Sequence, residues 1–270
     1  MMYIVDTGNH DLRTEGMSYA MMFCVQMNRQ KEFDCLWRWV VTHMYLTEGE
    51  NAGYFAWSCH TDGSKNSDGP APDGEEFFAM SLFFAANRWG SGEGVLDYAS
   101  WARRILHACV HKGEEAGSGF PMWNPENHLI KFIPNCEFTD PSYHLPHFYE
   151  LFALWSDECD RPFWHAAAAA SRQYLRKACH ARTGLSAEYA EYDGRPHRGD
   201  QPDRHDWFFS DAYRTLGNIA LDAQWFGDKD GWAQETAAHI QQFFEEKEHG
   251  QTNGIYLIDG TPVEGNALHP

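Results

Sequence analysis

R-T-E-G-M-S-Y (residues 13–19) places a carboxylate, Glu15, where an apolar helical pattern begins. Three later segments repeat this arrangement: P-A-P-D-G-E-E-F-F with Asp73, F-T-D-P-S-Y-H-L-P with Asp140, and F-F-S-D-A-Y-R with Asp211. By subtraction of their numbers, successive acids lie 58, 67 and 71 residues apart, which is about the length of two helices with their connections. A helical hairpin repeated at this period predicts that the four helix starts gather at one end of a helical array.

Helical periodicity extends over most of the chain. Apolar residues recur at three- and four-residue intervals in eight segments: 17–29, 32–45, 75–89, 94–111, 142–155, 162–180, 212–226 and 231–248. Three short apolar runs, 54–57, 129–133 and 255–258, are predicted as strands within loops. Sequential helix pairs with little strand predict an all-α fold, an α/α-hairpin toroid or solenoid, as a single domain over residues 1–270.

The helix starts carry capping signals. The predicted caps are Asp73 with Glu76 as an acidic capping box, Asp140 followed by Pro141, and Thr14 and Ser210 at their own helices. An acid at a helix start is most simply explained as a cap or as a partner of the helix dipole. We expect Asp140 to have only that role.

Composition limits the functional classes. The 39 acidic residues outnumber the 21 basic ones, and the resulting charge of −18 repels polyphosphate, so a nucleic-acid partner is not expected. The chain has seven cysteines but no C-x-x-C pair, and it shows neither a signal peptide nor an apolar run of membrane-spanning length. We therefore expect a reduced cytoplasmic setting without membrane contact, or secretion if an export signal precedes the first residue.

Several carboxylates at one end of a helical array, with 15% aromatic residues to line it, are suited to cleavage of a sugar polymer. That reaction needs one carboxylic acid to protonate the leaving oxygen and a second carboxylate on the opposite face of the sugar. Glu15 and Asp211 are the candidates. Because a helix N-terminus favours the ionised form, Glu15 needs a neighbouring negative charge to hold its proton, and Asp73 could supply it.

A metal site is not expected from the sequence. His107 and His111 lie four residues apart on one helix face, but no H-E-x-x-H pattern accompanies them. We interpret them as a surface or core pair, and we expect neither a metal nor a cofactor.

Three motifs together resemble glycoside hydrolase family 8. D-L-R-T-E-G-M-S-Y-A-M-M (residues 11–22) is similar to the family segment around the general acid, which falls on Glu15. G-P-A-P-D-G-E-E-F-F-A-M (residues 69–80) is similar to the segment whose aspartate, here Asp73, binds and distorts the sugar. W-F-F-S-D-A-Y-R (residues 207–214) is similar to the segment of the general base, here Asp211.

The resemblance implies an (α/α)6 barrel and an inverting mechanism. It also implies that Arg214 lies beside the base, that Tyr143 is an active-site tyrosine, and that Trp57 and Trp123 stack on sugar rings. Within the family, the sequences of these motifs are most similar to the xylan-directed members that release xylose from the reducing end of oligosaccharides. In those enzymes a kinked Leu-His-Pro loop closes the cleft, and His269 of Leu268-His269-Pro270 would contact the substrate.

Two departures from the family leave alternatives open. A family member has twelve helices against about eight here, so we expect an incomplete barrel that lacks an N-terminal helix and C-terminal helices. Ala267 stands where a polar residue such as His is expected to recognise the terminal sugar, so an endo-acting β-1,4-xylanase remains an alternative. A glucanase or chitosanase is less favoured, and an inactive sugar-binding fragment is the third possibility.

Overall fold

The computed structural model describes residues 2–114, 117–199, 204–248 and 254–267, with backbone alone at 248 and 264–267. Within these ranges the α-helices are α1 Thr14–Gln26, α2 Gln30–His43, α3 Pro72–Trp89, α4 Tyr98–His111, α5 Pro146–Trp155, α6 Arg161–Ala178, α7 Arg214–Phe226 and α8 Trp232–Glu248. The eight predicted helices are thus confirmed, with ends shifted by no more than about one turn. None of these described helices is long and apolar enough to cross a membrane.

The short strands differ more from expectation. They are β1 Leu12–Arg13, β2 Ser58–Cys59, β3 Trp207–Phe208, β4 Gly254–Leu257 and β5 Pro262–Ala267, with β1 pairing β2 and the sheet order β3-β4-β5. The prediction at 255–258 is close to β4. The predictions of strands at 54–57 and 129–133 are wrong: Tyr54, Phe55, Ala56, Leu129 and Ile130 are buried in the core, and Phe55 forms only an isolated bridge with Tyr45.

The predicted caps are mostly wrong. Among them only Asp140 accepts a hydrogen bond expected of a cap, from the Ser142 N–H at 2.7 Å, and the helix that it begins is a short 3-10 turn, Pro141–Tyr143. Arg13, Ala71 and Phe209 occupy the residue before the other three starts, and none gives a side-chain cap. The acids of those segments therefore lie in the first turns of their helices, where Asp73 accepts a hydrogen bond from the neighbouring Gly74 N–H at 2.9 Å.

Two compact units form the chain. The first unit comprises Met1–Pro125, Ile133–Asn135 and Phe152–Pro162, and the second comprises Glu126–Phe132, Cys136–Leu151 and Phe163–Pro270. Each has its own core, and each carries part of the predicted site.

The core of the first unit is aromatic. Trp37 of α2 packs against Phe55 and Phe78, with ring centroids 5.9 and 5.8 Å away, and its indole N–H donates to the Val95 carbonyl at 2.8 Å. Because these rings are fully buried and the one indole N–H is satisfied, they hold α2 and α3 in fixed register. Helix α1 packs against both α2 and α3, and its buried residues include Met17, Met21 and Met22.

The core of the second unit has two parts. Tyr174 and Leu175 of α6 pack with Ile219 of α7, while Phe208 of β3 packs with Tyr256 of β4. Within this unit the small sheet is therefore fixed by its own apolar contacts, and the segment that follows β3 starts from a defined position.

Close approach of α1 and α3 at Gly74 gives a test of the first unit. A Cβ at this glycine would lie 2.5 Å from both Cβ and Oγ1 of Thr14, so Gly74→Ala should lower the free energy of unfolding by about 1–3 kcal/mol. Gly217 in α7 has nothing within 4 Å of such a Cβ, so Gly217→Ala should leave stability unchanged or raise it by about 0.5–1 kcal/mol. Urea unfolding of both variants measures the difference, and equal stability of the two would contradict the packing described.

Candidate active site

Backbone pairing positions the first acid. Strand β1 pairs antiparallel with β2, and the Thr14 N–H donates to the Trp57 carbonyl at 2.9 Å. Because β1 runs directly into α1, this pairing fixes the first turn of the helix, where Glu15 lies half-buried. Ser58 strengthens the pairing by donating from its hydroxyl to the buried carboxylate of Asp11 at 2.9 Å.

Asp73 lies next to the same point. The contact between Thr14 and Gly74 brings the starts of α1 and α3 together, and Asp73 and Glu15 are the residues beside that contact in the two helices. Asp73 is buried, in the first turn of α3. The structure thus brings two of the predicted acids together, as the predicted effect of Asp73 on Glu15 requires.

A third carboxyl group lies beneath them. Glu75 is fully buried and accepts a hydrogen bond from the Phe55 N–H at 3.0 Å. Burial raises the pKa of Glu75 well above its usual value, and the charge of Asp73 acts in the same direction, against the opposing effect of the Phe55 N–H. The raised pKa favours the neutral form of Glu75 and so reduces the buried negative charge beside Asp73.

The two predicted tryptophans differ. Trp57 is 37% exposed, so part of its ring is available at the surface near Glu15. The Arg13 guanidinium carbon lies 5.3 Å from the ring centroid. Trp123 is 1% exposed and belongs to the core. Its burial does not support the predicted stacking on a sugar, whereas the exposure of Trp57 does.

A second set of backbone pairings organises the remaining residues. The segment 188–190 is held by β3 and its approach on one side, through Glu188 N to Trp207 O at 2.8 Å and Tyr189 N to His205 O at 2.9 Å. On the other side Ala190 and Thr139 exchange two hydrogen bonds of 2.9 Å. Since Asp140 follows Thr139, and Asp211 follows β3 closely, this pairing brings Asp140, Glu188 and Asp211 to one region of the second unit.

Asp211 is the accessible member of this group. It lies half-buried in the 3-10 helix Ser210–Tyr213, and its Oδ2 is 2.7 Å from a terminal guanidinium nitrogen of Arg214. Ser210, which precedes Asp211, has φ of +47°, a left-handed conformation that costs energy in a residue other than glycine. The Tyr143 ring lies 5.8 Å from the Arg214 guanidinium carbon, so the three predicted residues of this unit are neighbours.

Sequence reasoning missed two carboxyl groups near Asp211. Burial raises the pKa of Asp140 well above its usual value, with Arg214 opposing and Asp211 adding to the rise. Burial also raises the pKa of Glu188, although His205 opposes it through a 2.8 Å hydrogen bond. Asp140 had been interpreted only as a cap. Glu188 lies in an irregular segment without helical periodicity, so nothing local marked it.

The predicted site residues therefore form two groups, one in each unit. Glu15, Asp73 and Trp57 lie together in the first unit, and Tyr143, Asp211 and Arg214 in the second. His269, with Leu268 and Pro270, lies outside the described residues.

A family model described as "Glycosyl hydrolases family 8" matches residues 3–266. The chain belongs to glycosyl hydrolase family 8. This membership confirms the all-α, (α/α)6-barrel fold class that the motifs implied, and it makes the chain a glycoside hydrolase.

Similar proteins have been characterised in several bacteria. A reducing end xylose-releasing exo-oligoxylanase of Bifidobacterium adolescentis is 58% identical over 268 residues, which is 99% of this chain and 69% of that protein. The protein of the same description from Halalkalibacterium halodurans is 58% identical over 269 residues, 99% of this chain and 68% of its own. The solved structure of Rex8A from Paenibacillus barcinonensis complexed with xylose is 56% identical, with a TM-score of 0.95 over 99% of this chain and 70% of that one.

Substitution of the two candidate catalytic acids separates chemistry from folding. Glu15→Gln and Asp211→Asn should each lower turnover by about 10²–10⁴-fold, because each removes a group that is predicted to donate or accept a proton. Both side chains are partly exposed, so the free energy of unfolding should change by less than about 1 kcal/mol.

Glu48→Gln is a suitable control, since Glu48 is an exposed loop carboxylate. Its turnover should equal that of the unmodified chain. Turnover within a few-fold of normal in Glu15→Gln or Asp211→Asn would remove that residue from its predicted role.

Proposed function

We propose that this chain is an inverting hydrolase of β-1,4-linked xylo-oligosaccharides that releases xylose from the reducing end. The observation that carries the proposal is 58% identity, over 99% of the chain, to reducing end xylose-releasing exo-oligoxylanases. A relative at 56% identity is known in complex with xylose, and a variant of it with an arabinofuranosyl-xylotetraose. Xylo-oligosaccharides are therefore the proposed substrate class.

Glu15 is the proposed general acid and Asp211 the proposed general base. In inversion the acid protonates the glycosidic oxygen while the base removes a proton from water, and that water attacks the anomeric carbon from the opposite face. The bond to the leaving sugar breaks as the new C–O bond forms. Asp73 is proposed to place a negative charge near Glu15, which would oppose the effect of the α1 dipole on this acid.

Arg214 and Tyr143 are proposed to orient the base. The ion pair of 2.7 Å between Arg214 and Asp211 restricts the carboxylate, and Tyr143 borders the same guanidinium. The raised pKa values of Asp140 and Glu188 favour their neutral forms, which reduces the negative charge around the Arg214–Asp211 pair. In this way the most accessible carboxylate of the group is the one that can take a proton from water.

The sugar contacts are proposed for Trp57, Asp73 and His269. The exposed Trp57 ring near Glu15 offers a stacking surface, and Asp73 is proposed to bind a hydroxyl of the distorted sugar at the point of cleavage. His269 is proposed to contact the sugar beyond the leaving-group position. This contact would limit cleavage to the last xylose of the oligosaccharide.

Reduced and unreduced xylotriose test the reducing-end selectivity. A site that recognises a closed terminal xylose should convert xylotriose to xylobiose and xylose about a hundredfold faster than it converts xylotriitol, because an open-chain alditol cannot make the same hydrogen bonds. Chromatography of both digests gives the two rates.

Other outcomes separate the alternatives. Equal rates on both trisaccharides, together with a rapid loss of viscosity of long xylan, would indicate an endo-xylanase and contradict exo action. Absence of products, with a melting temperature raised by xylotriose, would indicate a sugar-binding chain without activity.

A further inference from the structure

Two histidines of α4 lie on one face at the end of the helix. His107 and His111 are one turn apart, and their ring centroids are 4.4 Å from each other. His107 is 56% exposed at its side chain, whereas His111 is half-buried. Histidines spaced in this way can share a metal ion when a third group approaches the same side of the helix.

Asp160 is that third group. It precedes α6, and its side chain is only 2% exposed. One carboxylate oxygen lies 2.7 Å from Nε2 of His111, and the other lies 3.5 Å from Nδ1 of His107. The Cys159 thiol, whose sulfur is 3.2 Å from Oδ1, donates to the same carboxylate and helps to fix its orientation.

The separations fit a small tetrahedral site. A ligand atom of each of the three residues lies within 4.8 Å of the other two. Zinc bonds to imidazole and carboxylate of about 2.0–2.2 Å place tetrahedral ligand atoms about 3.3–3.5 Å apart. The distance from His107 to Asp160 already has this value. The distance from His111 to Asp160 is that of a hydrogen bond, and it must widen by about 0.6 Å when an ion takes the place of the shared proton.

Glu114 supplies a further feature of metal sites. Its Oε1 lies 2.6 Å from Nδ1 of His111, the ring nitrogen that faces away from Asp160. A carboxylate on the second nitrogen of a ligating histidine fixes the ring orientation and makes the first nitrogen a better ligand. An ordinary surface ion pair would need only one carboxylate contact at His111, whereas this ring has Glu114 on one nitrogen and Asp160 on the other.

We propose that His107, His111 and Asp160 form a site for a divalent transition-metal ion of the zinc type, with the fourth position open to water. Two imidazoles and one carboxylate favour zinc, cobalt or nickel over magnesium and calcium, which prefer all-oxygen sites. Binding releases the proton shared by His111 and Asp160 to solvent. The ion would join the end of α4 to the start of α6 within the first unit.

Calorimetry with Zn²⁺ tests the site in a tag-free chain that has been treated with chelator and desalted. We expect one Zn²⁺ per chain and no saturable heat with Mg²⁺. His107→Ala should abolish binding or weaken it at least tenfold, and Glu114→Gln should weaken it by about 10–100-fold. Saturating Zn²⁺ should also raise the melting temperature by about 5 °C.

His165→Ala is the matched control, because His165 is an exposed histidine 3.5 Å from a carboxylate oxygen of Glu150 and, among the described residues, it belongs to no group of three possible metal ligands. It should bind Zn²⁺ as the unmodified chain does. Circular dichroism checks that His107→Ala folds, which its exposure favours. Absence of saturable Zn²⁺ binding, or binding by His107→Ala as tight as normal, would overturn the proposal.

Discussion

Short backbone pairings determine where the acids of this protein lie. The bond from Thr14 to Trp57 fixes the start of α1, and the pairings of 188–190 with Thr139 and with the approach to β3 fix the surroundings of Asp211. Main-chain hydrogen bonds do not depend on the side chains that they position. Substitution of Glu15 or Asp211 should therefore affect the proposed catalysis far more than the fold.

Burial divides the carboxyl groups into two kinds. Glu75, Asp140 and Glu188 are buried, and their pKa values are raised chiefly for that reason. Glu15 and Asp211 are partly exposed. Closely spaced anions in a low dielectric repel strongly, so the raised pKa values reduce the repulsion within each unit: that of Glu75 near Asp73, and those of Asp140 and Glu188 near Asp211.

The sequence predicted the helices well because periodicity is a local signal. The predicted caps failed because α1, α3 and the turn at Ser210 each begin one or two positions earlier than predicted. At α1, backbone pairing fixes the first turn instead of a side-chain cap. The resemblance alone suggested a stacking role for Trp123, and its burial at 1% exposure does not support that role. Glu188 and the partner of the histidine pair, Asp160, were missed for another reason: contacts between distant segments leave no local pattern.

The central claim is that the glycosidic bond is cleaved by direct attack of water, with an acid and a base on opposite faces of the sugar. Proton NMR during hydrolysis of β-linked xylotriose tests it most directly, because the new reducing end forms on the released xylobiose. Inversion predicts that the α-anomer of xylobiose accumulates first and that the β-anomer follows by mutarotation. Appearance of the β-anomer first would contradict the account.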